Sequence, residues 1–222
     1  MSTKEPQYQR CFNHVREFGR VELGVMHSHS WDTDPKHVLF TLSRYKFVAK
    51  LLAGRKSVLE IGCADAFASR LVRQTVQELT VSDFDPAWVE EAKRQSKSPW
   101  DFGSVVHNFL ESPLPSHFDG VYALDVLEHI PASEESRFLR HISASLDETG
   151  ILILGTPSLQ SQVHASPASK EGHVNCKDGE GLKVLLLSFF HTVFVFSMND
   201  EIIHTGYYPM AHYLLAVGCH KR

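Results

Sequence analysis

A loop of small residues and an acid further along the chain could together bind a nucleotide-like ligand. The apolar run Val58-Leu-Glu-Ile-Gly62 passes into Cys-Ala-Asp-Ala-Phe67. Gly62 and the small side chains that follow it let backbone amides approach a ligand. A second short strand ends at Asp83, about 20 residues later, which is the spacing expected of an acid that binds ribose hydroxyls. These residues predict a nucleotide-like ligand where the first strand meets the next helix.

Histidines are the second group that could do chemistry, because imidazole takes up protons near neutral pH. The sequence has 14 of them. His129 lies shortly after Asp125 at the end of a predicted strand, and other histidines lie in a later polar stretch. His27 and His29 could chelate a metal from alternate positions of a strand, but no third ligand clusters with them. We therefore predict no bound metal.

The composition is typical of one compact domain, which we predict over residues 1–222. A length of 222 residues, of which 43% are apolar, is enough for a full core. The net charge of −4 disfavours a nucleic-acid partner, which needs a basic face. The sequence has neither a membrane-length apolar run nor a secretory signal, so we expect a cytoplasmic protein with no membrane partner. It leaves open a monomer or a homodimer.

Alternating strands and helices in the middle of the chain predict a doubly wound, mostly parallel α/β sheet with helices on both faces. A helix from Lys36 to Leu52 precedes this pattern. The expected strands are 57–61, 78–82, 104–109, 118–124 and 151–155, and the expected helices between them are 66–74, 86–97 and 132–146. After a helix at 181–190, two strands at 192–198 and 212–220 are expected to form a terminal antiparallel pair.

Two segments lack this pattern. Residues 1–35 are polar and are expected to be irregular, forming either a lid that brings Trp31 over a cofactor or a simple clasp on the core. Residues 156–180 are rich in Ser, Gly, Pro, His and Gln and are too long for a routine connection. Loops of this kind at the carboxyl ends of strands often carry function, so we predict that residues 156–180 form a substrate loop.

Three segments together resemble the class I S-adenosylmethionine-dependent methyltransferases of the small-molecule type. They are Glu60-Ile-Gly-Cys-Ala-Asp65, Val81-Ser-Asp-Phe84 and Phe118-Asp-Gly-Val-Tyr-Ala-Leu-Asp-Val-Leu-Glu-His-Ile-Pro131. The resemblance implies a Rossmann-like, seven-stranded mixed sheet that ends in a C-terminal antiparallel hairpin. It also implies S-adenosyl-L-methionine as cofactor and a small molecule as methyl acceptor.

The resemblance further implies which residues contact the cofactor. Asp83 would accept hydrogen bonds from both ribose hydroxyls, and Phe84 would lie on the adenine face. Asn108 stands where the family usually has aspartate, and its amide oxygen can also accept a bond from the adenine amino group. The residues expected around the methionine part are Glu60, Gly62, Cys63, Ala64, Leu124 and Asp125.

The loop departs from the family pattern at two positions. Ala64 and Ala66 stand where the family typically has glycine. Because a side chain disfavours positive φ, the loop must either avoid that conformation at both alanines or tolerate strain.

Methyl transfer is an in-line displacement that needs a base only for some acceptors, such as a hydroxyl. His129 is the first candidate for that base and His173 the second, although His129 could instead cap the following helix. His164, Ser166, Asn175 and Tyr208 are the candidate substrate contacts. The loop could also be polar merely because it is exposed.

We predict O-methylation of a hydroxyl on a sugar-like or specialised metabolite. The alternatives are N-methylation, or methylation of an acidic oxygen of carboxylate or phosphoryl type. Two further hypotheses are a non-catalytic cofactor-binding protein and a nucleotide-dependent oxidoreductase.

Overall fold

The computed structural model describes residues 2–222 as a mixed sheet of eight strands with helices on both faces. The strand order is β3-β2-β1-β4-β5-β8-β6-β7. The strands are β1 Ser57–Ile61, β2 Glu78–Asp83, β3 Gly103–Val106, β4 Phe118–Leu124, β5 Leu146–Pro157, β6 Phe190–Asn199, β7 Ile202–His204 and β8 Tyr213–Lys221. This is the doubly wound architecture that the alternation of elements predicted.

The first five strands are parallel, and the last three form the antiparallel end of the sheet. β1 pairs with β2 on one side and with β4 on the other. β8 lies between β5 and β6 and is antiparallel to both, which gives the predicted terminal pair. The predicted seven strands fall short by one, because Ile202–His204 returns along β6 as a short edge strand.

The helices of the described residues are α1 Gln9–Phe18, α2 Val25–Thr33, α3 Pro35–Leu51, α4 Ser69–Arg73, α5 Pro86–Gln95, α6 Glu135–Ala144, α7 Pro167–Gly172 and α8 Gly179–Leu187. The first residues of two of these helices are typical of helix N-termini. Pro35 and Pro86 occupy first-turn positions, where a missing backbone N–H costs nothing. Asp85 caps α5 by accepting a hydrogen bond from the amide of Ala87.

Successive residues of the central strands pack on opposite faces of the sheet. Tyr122 and Ile153 pack with α3 and α4, whereas Val121 and Leu152 pack with α6 and α8. Burial on both faces explains why β1 is an almost continuous apolar run. The cores on the two faces fix the sheet and leave its carboxyl edge to the connecting loops.

The prediction that residues 1–35 are irregular was wrong. The helices α1 and α2 lie there, so His27 and His29 are in a helix rather than on a strand. Cys11, Val15 and Phe18 recur along α1 at helical spacing, yet the helix buries none of its residues. Residues 156–180 also contain local structure, a 3₁₀ turn at Gln160–His164 and the short helix α7.

No helix among residues 2–222 is long and apolar enough to cross a membrane.

Candidate active site

Two adjoining cavities open at the carboxyl ends of the parallel strands, where doubly wound sheets bind ligands. The first, here called the Asp83 cavity, has a volume of about 520 Å³ and is lined by Asp83, Phe84 and Asn108 among others. The second, here called the histidine cavity, has a volume of about 750 Å³, and six of its lining residues are histidines. Both cavities are lined by Gly62, Ala64, Asp125 and His129.

Asp83 ends β2 with its carboxylate turned toward the loop that follows β1. One oxygen accepts the amide of Ala64 at 3.2 Å, and the other accepts the amide of Asp85 at 3.0 Å. Burial raises the pKa of this carboxyl. A carboxylate offers about four acceptor sites, so Asp83 keeps acceptor capacity for two further hydroxyl donors from the cavity.

The loop after β1 adopts the left-handed conformation at three positions. The φ values are 73° at Gly62, 45° at Ala64 and 52° at Ala66. A Cβ atom at Gly62 would lie 2.3 Å from the side chain of Val126. The loop therefore keeps the conformation of a glycine-rich loop, and both alanines carry the strain that the sequence left as one of two possibilities.

Glu60 does not line either cavity, contrary to its predicted position beside the methionine part of the cofactor. Its carboxylate is buried below the loop and accepts hydrogen bonds from Tyr45, Ser69 and Tyr122 at 2.5–2.6 Å. Burial raises its pKa to about 7, although the three hydroxyl donors oppose this shift. Glu60 supports the loop from beneath.

Phe84 and Asn108 both line the Asp83 cavity, as the adenine contacts would. The ring of Phe84 is largely exposed. Asn108 lies beyond the end of β3, where its amide oxygen accepts the amide of Leu110 and its amide nitrogen donates to Glu111. The second lone pair of that oxygen remains available.

Arg44 is a site residue that the sequence reasoning missed. It projects from α3 into the histidine cavity, binds Asp125 at 2.7 Å and lies 3.8 Å above the ring of Tyr213. Asp125 has a φ of 57° and lines both cavities. A charged residue on the core-facing side of a helix, between Thr41 and Val48, was the available signal.

The N-terminal segment contacts the loop through His27 rather than through Trp31. The backbone amide of His27 donates to Asp65 at 2.9 Å, and its ring lies 2.7 Å from the same carboxylate. Trp31 is 55% exposed and lines neither cavity, so the structure does not bring it over the predicted cofactor site. These contacts make α2 a clasp on the loop.

His129 and His173 come together in the histidine cavity, with ring centroids 5.3 Å apart. Nδ1 of His129 donates to the carbonyl oxygen of Gly172, and Nδ1 of His173 donates to the side-chain oxygen of Gln162, both at 2.9 Å. Each ring therefore keeps Nε2 as its free nitrogen. Burial and the neighbouring His129 lower the pKa of His173, which favours its neutral form.

Glu128 lies beside this histidine pair and is fully buried. One carboxylate oxygen accepts a hydrogen bond from Thr156, while Oε1 has no partner. Burial and the nearby Asp125 raise its pKa to about 8. The backbone carbonyl of Glu128 accepts the amides of Val174 and Asn175, which fixes the segment containing His173 against the turn containing His129.

Seven residues of the predicted substrate loop line the histidine cavity: Pro157, Ser161, Gln162, His164, Ala165, Ser169 and His173. The structure does not bring the other three predicted contacts there. Ser166 caps α7, the buried Asn175 binds Glu135, and Tyr208 contacts Glu180. Cys63 and Leu124 do line the cavity.

S-adenosyl-L-methionine fits this arrangement of residues. Asp83 keeps hydrogen-bond acceptors for the ribose hydroxyls. The Asp83 cavity has apolar lining residues and the side-chain amide of Asn108 for the adenine ring. Gly62, Ala64 and Asp125 lie where the two cavities meet. The reactive end of a ligand that entered from the Asp83 cavity would therefore face His129 and His173.

Comparison of the sequence with known proteins finds methyltransferases. The sequence model of a family described as methyltransferase domain matches residues 37–189. The mitochondrial ubiquinone biosynthesis O-methyltransferase of Schizosaccharomyces pombe is 30% identical over 140 residues, which are 58% of this chain and 50% of that protein. A protein of Mycobacterium tuberculosis described as a probable S-adenosylmethionine-dependent methyltransferase is 29% identical over 120 residues, 52% of this chain and 42% of that one. The matched segment thus spans about half the length of these curated relatives.

Solved structures show the same fold over nearly the whole chain. The N-methyltransferase NodS of Bradyrhizobium japonicum, in complex with S-adenosyl-L-homocysteine, gives a TM-score of 0.64 at 18% identity and covers 97% of this chain and 99% of its own. Magnesium protoporphyrin IX methyltransferase of Synechocystis with bound S-adenosylmethionine gives 0.59 at 17% identity, covering 96% and 94%. At these identities the likeness concerns the fold alone.

Proposed function

This chain belongs to the class I S-adenosylmethionine-dependent methyltransferase family, and we propose that it transfers a methyl group to a hydroxyl of a small polar acceptor. One observation carries the proposal. The two imidazoles of His129 and His173, each with Nε2 free, line the cavity beside the loop and Asp125. An acceptor hydroxyl in the histidine cavity would lie between these rings and the methyl donor.

S-adenosyl-L-methionine, when bound, supplies an electrophilic methyl group on a sulfonium. The chain contributes binding and orientation through Asp83 and the loop, which would hold the donor in line with the acceptor. His129 or His173 would accept the hydroxyl proton as the new bond to carbon forms. Either ring is suited to this step because its Nδ1 bond fixes the orientation of the imidazole.

The acceptor class follows from the cavity lining. Besides its histidines, the histidine cavity has the polar lining residues Thr41, Arg44, Ser161, Gln162 and Ser169, next to apolar ones such as Met26, Leu124 and Pro157. The polar residues suit the hydroxyl groups of an acceptor, and the apolar residues can contact its carbon skeleton. The name of the relative from fission yeast, an O-methyltransferase of ubiquinone biosynthesis, also supports transfer to oxygen.

A transfer assay with isotope-labelled S-adenosylmethionine and a panel of polyols, catechols, amines and carboxylic acids tests the proposal. We expect labelled product only from hydroxylated acceptors. His129→Ala or His173→Ala should lower kcat/KM by about 10²–10⁴-fold, as the loss of a general base does. His191→Ala, at an exposed histidine of β6, is the matched control and should leave the rate unchanged.

Amine methylation that survives both cavity substitutions would favour the alternative of N-methylation. Binding of S-adenosyl-L-homocysteine without any methylated product would instead indicate a non-catalytic cofactor-binding protein.

A further inference from the structure

Glu128, His129 and His173 form a group whose geometry goes beyond a proton acceptor. Each of the three offers one ligand atom, and these atoms lie within 4.8 Å of one another. Two imidazoles and one carboxylate are a common set of protein ligands for a transition-metal ion, and they leave positions open for other ligands. Among residues 2–222, this is the one group of three or more His, Cys, Asp or Glu residues whose ligand atoms lie this close together.

The buried carboxylate supplies an independent reason to place a cation here. Glu128 is fully buried, and its Oε1 has no hydrogen-bond partner. A buried acceptor without a partner is costly, and a buried carboxylate is normally paired or bound to a metal. The guanidinium of Arg44 is paired with Asp125 at 2.7 Å through Nη1, while its buried Nε also has no hydrogen-bond partner. An ion between Glu128 and the two rings would satisfy the free oxygen.

The outer contacts of both histidines have the pattern of metal ligands. A metal-bound histidine usually donates its second ring N–H to a carbonyl or carboxylate, which orients the ring and fixes the tautomer. His129 donates in this way to the carbonyl of Gly172, and His173 donates to the amide oxygen of Gln162. The Nε2 atoms of both rings are therefore already oriented and unprotonated before a ligand binds.

The two segments that supply these ligands are joined by backbone hydrogen bonds. The amides of Val174 and Asn175 donate to the carbonyl oxygen of Glu128 at 2.8 and 3.0 Å. A site joined in this way needs little rearrangement to bind an ion, so little ordering entropy opposes binding.

We propose that Glu128, His129 and His173 bind one divalent transition-metal ion or Zn²⁺, and that the acceptor hydroxyl completes its coordination. The mixed nitrogen and oxygen set favours such ions over Mg²⁺ or Ca²⁺, which prefer oxygen ligands throughout. The part of this inference that concerns the acceptor rests on the proposed function. With the ion in place, both rings would hold it instead of accepting the proton. A hydroxyl attached to the ion would have a lowered pKa and would release its proton to water before its oxygen attacks the methyl group.

Titration of chelator-treated, tag-free full-length protein with Co²⁺ tests the site, with calorimetry and visible absorption as readouts. We expect one ion per chain and the d–d absorption of a site with nitrogen and oxygen ligands. Glu128→Gln and His173→Ala should each weaken binding by more than the roughly 10–100-fold that loss of an outer contact costs. His164→Ala removes another histidine from the same cavity and should leave the stoichiometry and affinity unchanged.

A thermal shift with S-adenosyl-L-homocysteine identifies variants that remain folded. Wild-type protein that binds no Co²⁺, or binds it no more tightly than folded Glu128→Gln, would overturn the metal site. Transfer activity is a separate readout. Specific Co²⁺ binding without methylation of any acceptor would refute the proposed function and leave the site standing. Methylation at the full rate without any ion would leave the proposed function standing and refute the coordination of the acceptor hydroxyl by the ion.

Discussion

Ala64→Gly and Ala66→Gly test whether the loop after β1 is strained. Both alanines have positive φ, 45° and 52°. For a residue with a Cβ atom, the left-handed conformation costs about 1–2 kcal/mol, and glycine avoids this cost. Glycine also gives the unfolded chain more freedom, which offsets about 0.4–1 kcal/mol of the gain. The net change at a solvent-accessible position should therefore be a stabilisation of about 0.5–1 kcal/mol.

The burial of the two methyl groups separates the two substitutions. Ala66 is 1% exposed, whereas Ala64 is only partly buried at the cavity wall. Removing a buried methyl group costs about 0.8 kcal/mol, which cancels the gain at Ala66. We therefore expect Ala64→Gly to raise the free energy of unfolding by about 0.5–1 kcal/mol, and Ala66→Gly to leave it nearly unchanged.

Urea denaturation and calorimetry measure these changes. The gain expected for Ala64→Gly corresponds to a rise in Tm of about 1–4 °C for a chain of this size. Ala144→Gly, at the exposed last residue of α6, is the control without positive φ. It should lower stability by up to about 0.5 kcal/mol, because glycine costs about 0.5–1 kcal/mol only in the interior of a helix. If Ala64→Gly destabilises the protein as much as the control does, the loop is not strained and the reasoning fails.

Three other predictions concern single side chains. Asp83→Asn should raise the Kd for S-adenosyl-L-homocysteine, measured by calorimetry, about 10–100-fold, because charged hydrogen bonds are worth about 1.5–3 kcal/mol. The control Asp85→Ala removes only a helix cap and should leave that Kd unchanged. An unchanged Kd for Asp83→Asn would exclude Asp83 from the site. Burial raises the pKa of Glu60 from 4.5 to about 7, so the folded protein holds a proton there that the unfolded chain has released. The stability that the protonated Glu60 contributes is complete below about pH 4.5 and is lost as the pH rises to about 7. In that range the free energy of unfolding should fall with a slope approaching 1.4 kcal/mol per pH unit. Denaturation at several pH values should show this slope in the wild type and not in Glu60→Gln. Arg44→Met should lower the free energy of unfolding by about 1–2 kcal/mol, a value discounted for the partial exposure of Asp125. Adding Asp125→Asn should recover part of the loss. Equal stability of the wild type and Arg44→Met would show that the ion pair is not needed for stability.

Local pattern was enough to predict most of the sheet. The central strands are short apolar runs separated by helical periodicity, and this order implies parallel strands whose carboxyl ends share one edge. It follows that Asp83 and Asp125, at the ends of β2 and β4, lie close together at that edge. In the structure both residues line the Asp83 cavity.

Two elements were not predicted, for different reasons. In α1, Cys11, Val15 and Phe18 recur at helical spacing, but the prediction of an irregular segment did not use this signal, and the helix buries none of its residues. The strand β7 is only three residues long at the edge of the sheet, which is too short for a periodic pattern.

The sequence by itself determined the family, the order of the central strands and helices, and the acids at the strand ends, because local periodicity and short-range spacing encode all three. Only the tertiary structure decided that Glu60 lies beneath the loop and that His173 rather than Asn175 reaches the cavity. It also brought the carboxylate of Glu128, one oxygen of which has no hydrogen-bond partner, beside two oriented imidazoles. These relations depend on how a long loop folds back onto a distant turn, and contacts between distant parts of the chain leave no periodic signal in the sequence.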